Sequence, residues 1–251
     1  MSDWIPIVYC RGNNSGSFRA TKTINPQKGY EYMLIHGSGK NDVLYIDRRL
    51  CADAATVVSI VCAYAVTVPN GAWFIQIEMD DKELRGPSLG LPVALLLLGV
   101  CSECIYCTGA LDTFGKARHI QVSPVGGIIP KMLQAVANKT ALICPNESIA
   151  SLDTTEDIRW KRIKKHVFDI KDLYSHPLNA WNERFGKQIW AIGVDDIGEA
   201  VSAVNILRRL NMLRVYEDGI LMPVSDYTAD NLLSHENLIR ENDTKKKQRT
   251  E

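Results

Sequence analysis

Residues 89–101, LGLPVALLLLGVC, run for thirteen positions without a charge, and a segment of that kind has few places to go. It is too short to cross a bilayer, which takes about 20 apolar residues. A buried core helix is the reading that remains, because a helix apolar on every side has to be enclosed by other elements. A chain of 251 residues with 46% hydrophobic content holds enough apolar material for one or two such cores.

Charge narrows the classes further. Lys+Arg and Asp+Glu both number 29, so the formal net charge is zero and no basic field recruits nucleic acid or an anionic membrane surface. The opening MSDWIPIVYC lacks the basic start, apolar stretch and small-residue cleavage site of a secretory signal. With seven cysteines, an odd number, reduced thiols in a cytoplasmic, intracellular protein are the expectation. The sequons at Asn13, Asn138, Asn146 and Asn242 then read as chance, since glycosylation needs a secretory route.

Along the chain, WIPIVYC, EYMLIH and DVLYID read as strands of a small antiparallel sheet, separated by Gly, Asn, Pro and Lys clusters that mark turns. CADAATVVSIVCAYAV (51–66) reads as a helix and AWFIQIEM (72–79) as a strand; the buried helix begins near Leu91. CIYCTGAL, ARHIQVS and TALICP read as strands, with PKMLQAVANK as a helix between the last two. The expected class is α/β, α+β in its mixed sheet. From about residue 182 a strand, KQIWAIG, precedes an amphipathic helix with Val201, Val204 and Leu207 on one face. The expected division is a domain over 1–181, a strand-helix extension over 182–234 packed on it, and a charged, solvated tail over 235–251.

Two polar side chains stand out against this background. Ser88 lies in GPSLG, four residues ahead of Pro92. A proline lacks the N–H that an interior helix position donates, so Pro92 belongs in the first turn and Ser88 sits at or just before the helix start. The plain role there is an N-cap; the chemical one is a nucleophile beside outward-facing backbone N–H groups. Lys131 follows Pro130 at the start of the next helix, where the macrodipole disfavours a cation. A lysine base working near neutral pH must have its proton affinity lowered by roughly 4 kcal/mol. The dipole supplies about 0.3–1 kcal/mol, so burial among Val125, Ile128, Ile129, Met132 and Leu133 must supply most of it. The alternative is a surface lysine whose stem covers apolar neighbours.

Taken in order, GPSLG, YCTGALD, VGGIIPKMLQAV and TALICPNE resemble the proteolytic domain of Lon proteases, over about residues 25–160. The resemblance implies a Lon-like fold in which Ser88 is the nucleophile, Lys131 the general base, and Thr108 the threonine that hydrogen-bonds the lysine. Turn N–H groups near Gly86, Pro87 and Ser88 would hold the oxyanion, and IQIEMD stands in the place of the family's edge strand. A substrate polypeptide would pair there with Phe74, Gln76 and Glu78. No cofactor or metal is implied, and the partners are a polypeptide substrate, further copies of the chain, since Lon makes a ring, and a separate ATPase.

The chain also departs from the family. Ser88 and Thr108 are 20 residues apart, about five fewer than in Lon, while TFGKARHIQVS lengthens the stretch that follows, so the 43-residue spacing of Ser88 and Lys131 arises by compensation. Arg85 stands where Lon usually has Asp, and Ala110 replaces the glutamate of TGE. There is no room for an AAA+ module; HGSGKND lacks the first glycine of a P-loop and has Asn41 at the magnesium-binding hydroxyl, so it reads as a hairpin turn. A stand-alone, ATP-independent serine endopeptidase results, similar to the birnavirus proteases that process polyproteins. Two other classes compete with it. One is a non-catalytic scaffold keeping the fold. The other is a Ser-His esterase with GPSLG as a nucleophile elbow, which requires a histidine beside Ser88. Cys101, Cys104 and Cys107 form C-x2-C-x2-C, but with no fourth ligand nearby they read as structural thiols, as do Cys10, Cys51, Cys62 and Cys144.

Overall fold

The computed structural model describes residues 3–11, 14–36, 43–51, 53–67, 71–78, 86–100, 105–112, 120–138, 140–154, 157–175 and 189–217. Its strands are β1 (Asp3–Arg11), β2 (Asn14–Thr23), β3 (Tyr32–His36), β4 (Val43–Asp47), β5 (Ala72–Glu78), β6 (Ile105–Cys107), β7 (Ala110–Asp112), β8 (Gln121–Ser123), β9 (Ala141–Pro145), β10 (Val167–Asp169) and β11 (Ala191–Val194). Nine of them form one mixed sheet in the order β10-β11-β9-β6-β1-β2-β5-β4-β3, and β7 and β8 form a separate hairpin. Neighbours run parallel from β10 through β1 and between β4 and β5. The pairs β1–β2, β2–β5 and β3–β4 are antiparallel. The protein is therefore mixed α/β.

The charge-free segment becomes α2 (Gly90–Leu97), all eight of whose residues are buried. It lies between the sheet and α1 (Ala54–Thr67), within a core that also takes in Ile5, Ile7, Ile75 and Ile77. The helix is shorter than the apolar run because Gly99 adopts φ 71°: Val100 N–H donates to the Leu95 carbonyl at 2.9 Å and Gly99 N–H to that of Leu96 at 3.1 Å, a Schellman-type stop. On the opposite face α3 (Ile128–Ala137) and α4 (Ile158–Ile163) build a second core around Val8, Tyr106, Met132 and Trp160. Val8 faces that core while Ile5 and Ile7 face the first, the alternation expected of a strand covered on both sides.

Two expectations are corrected. The opening runs do not make a small antiparallel sheet of their own: β2 and β5 stand between β1 and the β3–β4 pair. Strand β2, NSGSFRATKT, is hidden in sequence because Phe18 and Ala20 are its only buried apolar residues, and backbone pairing on both sides supplies the rest. For the same reason Phe74, Gln76 and Glu78 do not lie on an edge strand. β5 is paired to β2 over Phe74–Glu78 and to β4 over Ala72–Ile75, and beyond that register Asp47 accepts from Ile77 N–H while Arg49 and Tyr30 donate to its carbonyl. No row of backbone groups is left there for an incoming strand. The strand-helix pair expected after about residue 182 does pack on the same sheet, with β11 lying between β10 and β9. The helix after it, α5 (Ile197–Glu217), buries Val204 and Leu207 and half-buries Val201 against the first core.

The turn expected in HGSGKND falls mostly on residues outside those described, flanked by the antiparallel partners His36 and Val43. Residues 218–251, including the charged tail, are also outside them. Among the described residues no helix is long and apolar enough to cross a membrane.

The described cysteines Cys51, Cys62, Cys107 and Cys144 are free thiols. Burial pushes Cys144 up to about 12, against the opposing pull of the Lys131 charge. Because the thiolate is the reactive form, alkylation of Cys144 by iodoacetamide at neutral pH is expected to be at least about 100-fold slower in the native chain than in guanidinium. Mass spectrometry of the Cys144 peptide over time checks this, and equal rates would contradict the burial of β9.

Candidate active site

Lys131 occupies a core position of α3. With Ile128, Met132 and Ala135, all buried, it forms the i, i+3, i+4, i+7 stripe that faces the sheet, and the residue is only 4% exposed. The helix starts at Gly127, whose φ of 71° is left-handed and whose carbonyl accepts from Lys131 N–H at 3.2 Å. The Lys131 amino group thus reaches inward to the end of β6, where its Nζ donates to Thr108 Oγ1 at 2.9 Å. Thr108 is itself buried and continues the sheet past β6, its N–H donating to the Ile143 carbonyl. The surroundings of Lys131 are the Cys144 thiol and the aliphatic chains of the second core, the kind of setting in which burial disfavours a charged amine.

Ser88 lies in a 3-10 turn, Pro87–Leu89, that runs directly into α2. Gly86 precedes it with φ 106° and ψ 147°, a conformation close to glycine-only, and Pro87 takes the first helical position, where its missing N–H costs nothing. The turn is tied down on two sides. Gly109 N–H donates to the Ser88 carbonyl at 3.1 Å and Leu91 N–H to the Gly109 carbonyl at 3.0 Å. From α1, buried Ser59 donates its hydroxyl to the Pro87 carbonyl and accepts from Leu111 N–H, both at 2.9 Å, and Asp53 accepts from Gly86 N–H at 2.8 Å.

Between this turn and the Pro124–Gly127 loop opens a cleft of about 370 Å³, lined by both Ser88 and Lys131 and flanked by Tyr9. The loop wall is pinned by buried Ser148, which accepts from Val125 N–H at 2.8 Å and donates to its carbonyl at 3.1 Å. The cleft lies at the carboxyl ends of parallel strands, where open α/β sheets bind ligands. Ser88 and Lys131 therefore line one cleft, and Thr108 is joined to Lys131 by its hydrogen bond. Among the described residues no histidine lines the cleft; His36 ends β3, and His166 stacks on Trp190 with ring centroids 4.4 Å apart. β5 ends at Glu78, and residues 79–85 between it and Gly86 lie outside those described.

The oxyanion expectation is corrected in part. Gly86 N–H is committed to Asp53 and Pro87 carries none, so of these three residues only Ser88 brings an N–H that Asp53 does not hold. Cys107 is buried in β6, Cys101, Cys104 and Arg85 lie outside the described residues, and no group of three His, Cys, Asp or Glu side chains able to hold a metal occurs among the described residues. Ala110 is buried at the start of β7.

Four contributors escape a reading by motif: Asp53, Ser59, Ser148 and Tyr9. Asp53 left the clearest trace, an aspartate three residues before Thr56 at the head of an apolar helix, the pattern of an N-cap. Compared with known proteins, the chain matches no family model and no curated protein.

Proposed function

We propose that the chain is a Lon-like serine endopeptidase that works without ATP through a Ser88/Lys131 dyad. The observation that carries this reading is the placement of a buried lysine and a serine at a helix start on the walls of one cleft, with Thr108 accepting from the amine. In the proposed reaction the neutral Lys131 amine takes the Ser88 hydroxyl proton as Oγ attacks the peptide carbonyl. The tetrahedral intermediate collapses when the Lys131 ammonium returns that proton to the leaving amine, and Ser88 is left as an ester. Water then attacks the ester, again giving its proton to Lys131, and the acid product leaves as Ser88 regains its hydrogen. Ser88 N–H, at the positive end of the turn and helix, is the donor this reading places on the oxyanion. Thr108 holds the amine so that its rotamers are not spent searching for the serine.

The substrate of this reading is a polypeptide in an extended, unfolded segment. Incubating an unfolded model protein with the wild-type chain and with Ser88→Ala, without ATP, and reading fragments by mass spectrometry tests it. Cleavage by the wild type alone is expected. Equal fragment yields from both chains would sink the serine mechanism, and no cleavage across a panel of unfolded substrates by a folded wild-type chain would favour the scaffold.

A further inference from the structure

We infer that Asp53 is a positioning residue for the Ser88 turn, an inference that rests on the peptidase reading. Its two carboxylate oxygens do different things. Oδ1 accepts from Thr56 N–H at 2.8 Å and caps α1. Oδ2 accepts from Gly86 N–H at 2.8 Å across a sequence separation of 33 residues. One side chain thereby ties the first turn of α1 to the residue whose positive φ aims Pro87 and Ser88 into the cleft.

The turn needs such a tie. A Cβ on Gly86 would meet nothing within 4 Å, and glycine has the widest choice of backbone angles, so its φ of 106° is one option among several until a partner selects it. Ser59, one helical turn and a half further along α1, fixes Pro87 through its carbonyl, but the direction in which the chain enters the turn is set at Gly86. The carboxylate is suited to the task because it is held ionised: burial works to raise its pKa, and the N–H groups of Thr56, Gly86 and Ala55 with the Thr56 side chain outweigh that and lower it. The two oxygens of the carboxylate each reach a different donor, which one oxygen on the shorter serine side chain does not.

That difference gives the test. Asp53→Ser keeps an N-cap for α1 but has one short hydroxyl and cannot serve Gly86 as well. The expected result is a melting temperature close to that of the wild type, with kcat for cleavage of the unfolded substrate lower by about 10- to 100-fold and KM within about twofold, the pattern of a misaimed nucleophile. Asp53→Ala is expected to show the same kcat loss together with a lower melting temperature. Amide hydrogen exchange at Gly86, read by NMR in wild type, Asp53→Ser and Ser88→Ala, supplies a readout independent of turnover: exchange accelerates in Asp53→Ser and is unchanged in Ser88→Ala. A wild-type kcat in Asp53→Ser, or Gly86 exchange no faster than in the wild type, overturns the inference. A wild-type chain that cleaves nothing overturns the peptidase reading instead, and the exchange comparison then decides the hold on the turn by itself.

Discussion

Lys131→Met is expected to remove peptide cleavage by at least about 10³-fold, in the range lost when a general base is deleted, while leaving the chain folded and somewhat more stable. The two halves of that expectation come from the same fact. At 4% exposure, on the sheet-facing stripe of α3, the amine occupies a place that an apolar side chain of similar length would fill at no electrostatic cost. Methionine keeps the volume and the unbranched stem and removes the need either to bury an ammonium or to strip it of its proton. It also leaves the Thr108 hydroxyl, which now accepts from Nζ, without that donor, at a cost of about 1 kcal/mol. Relief of desolvation outweighs that loss, at on the order of 1–3 kcal/mol, so the melting temperature is expected to rise by a few degrees for a chain of this size. Thermal unfolding followed by circular dichroism, alongside the cleavage assay, measures both. A variant that still cleaves removes the dyad from consideration and reopens the search for another base. One that melts many degrees lower says that the lysine is kept for structure, and the scaffold reading gains.

Lys131 also shows what the sequence made legible. Its place at a helix start among apolar neighbours was readable because a helix has a short period. The enclosure of the 89–101 run was readable for a simpler reason, since a helix without charge has no solvent face. What could not be read was contact between distant segments. β2 has few apolar residues and holds its interior place through backbone pairing on both sides, which no side-chain pattern records. Its presence turned the expected edge strand β5 into an inner one and removed Phe74, Gln76 and Glu78 as a peptide-pairing edge. The insertion of β11 between β9 and β10 is likewise invisible to periodicity, because a parallel sheet takes strands in an order unrelated to the chain. At the site, Asp53 and Ser59 act on backbone groups 33 and 28 residues away; each alone looks like an ordinary helix residue.

The second glycine of GPSLG carries the other large effect, and its reason differs from that of the first. Gly86 is required by its φ of 106°. Gly90, by contrast, has helical dihedrals of −58° and −53°, which alanine adopts readily and with a propensity advantage of about 1 kcal/mol. Space decides against it. A Cβ at Gly90 would stand 2.0 Å from Ser59 Oγ and 3.0 Å from Leu111 N. Ser59 cannot swing aside freely, because its hydroxyl joins the Pro87 carbonyl to Leu111 N–H. Moving it breaks both bonds inside a buried interface, at about 1–3 kcal/mol for each group left unsatisfied, and separating α1 from α2 instead opens packed core. Gly90→Ala is therefore expected to lose about 2–4 kcal/mol after the propensity gain is subtracted, consistent with the usual cost of overpacking plus a broken buried network, and to disturb Ser88 through the loosened Pro87. The double variant Ser59→Gly/Gly90→Ala removes the clash but not the missing hydrogen bonds. In a double-mutant cycle followed by urea unfolding, Gly90→Ala should cost markedly less in the Ser59→Gly background than in the wild type, with a coupling of about 1–3 kcal/mol. Strict additivity would mean that Ser59 and Gly90 do not meet, and the α1–α2 contact that presents Ser88 to the cleft would have to be redrawn.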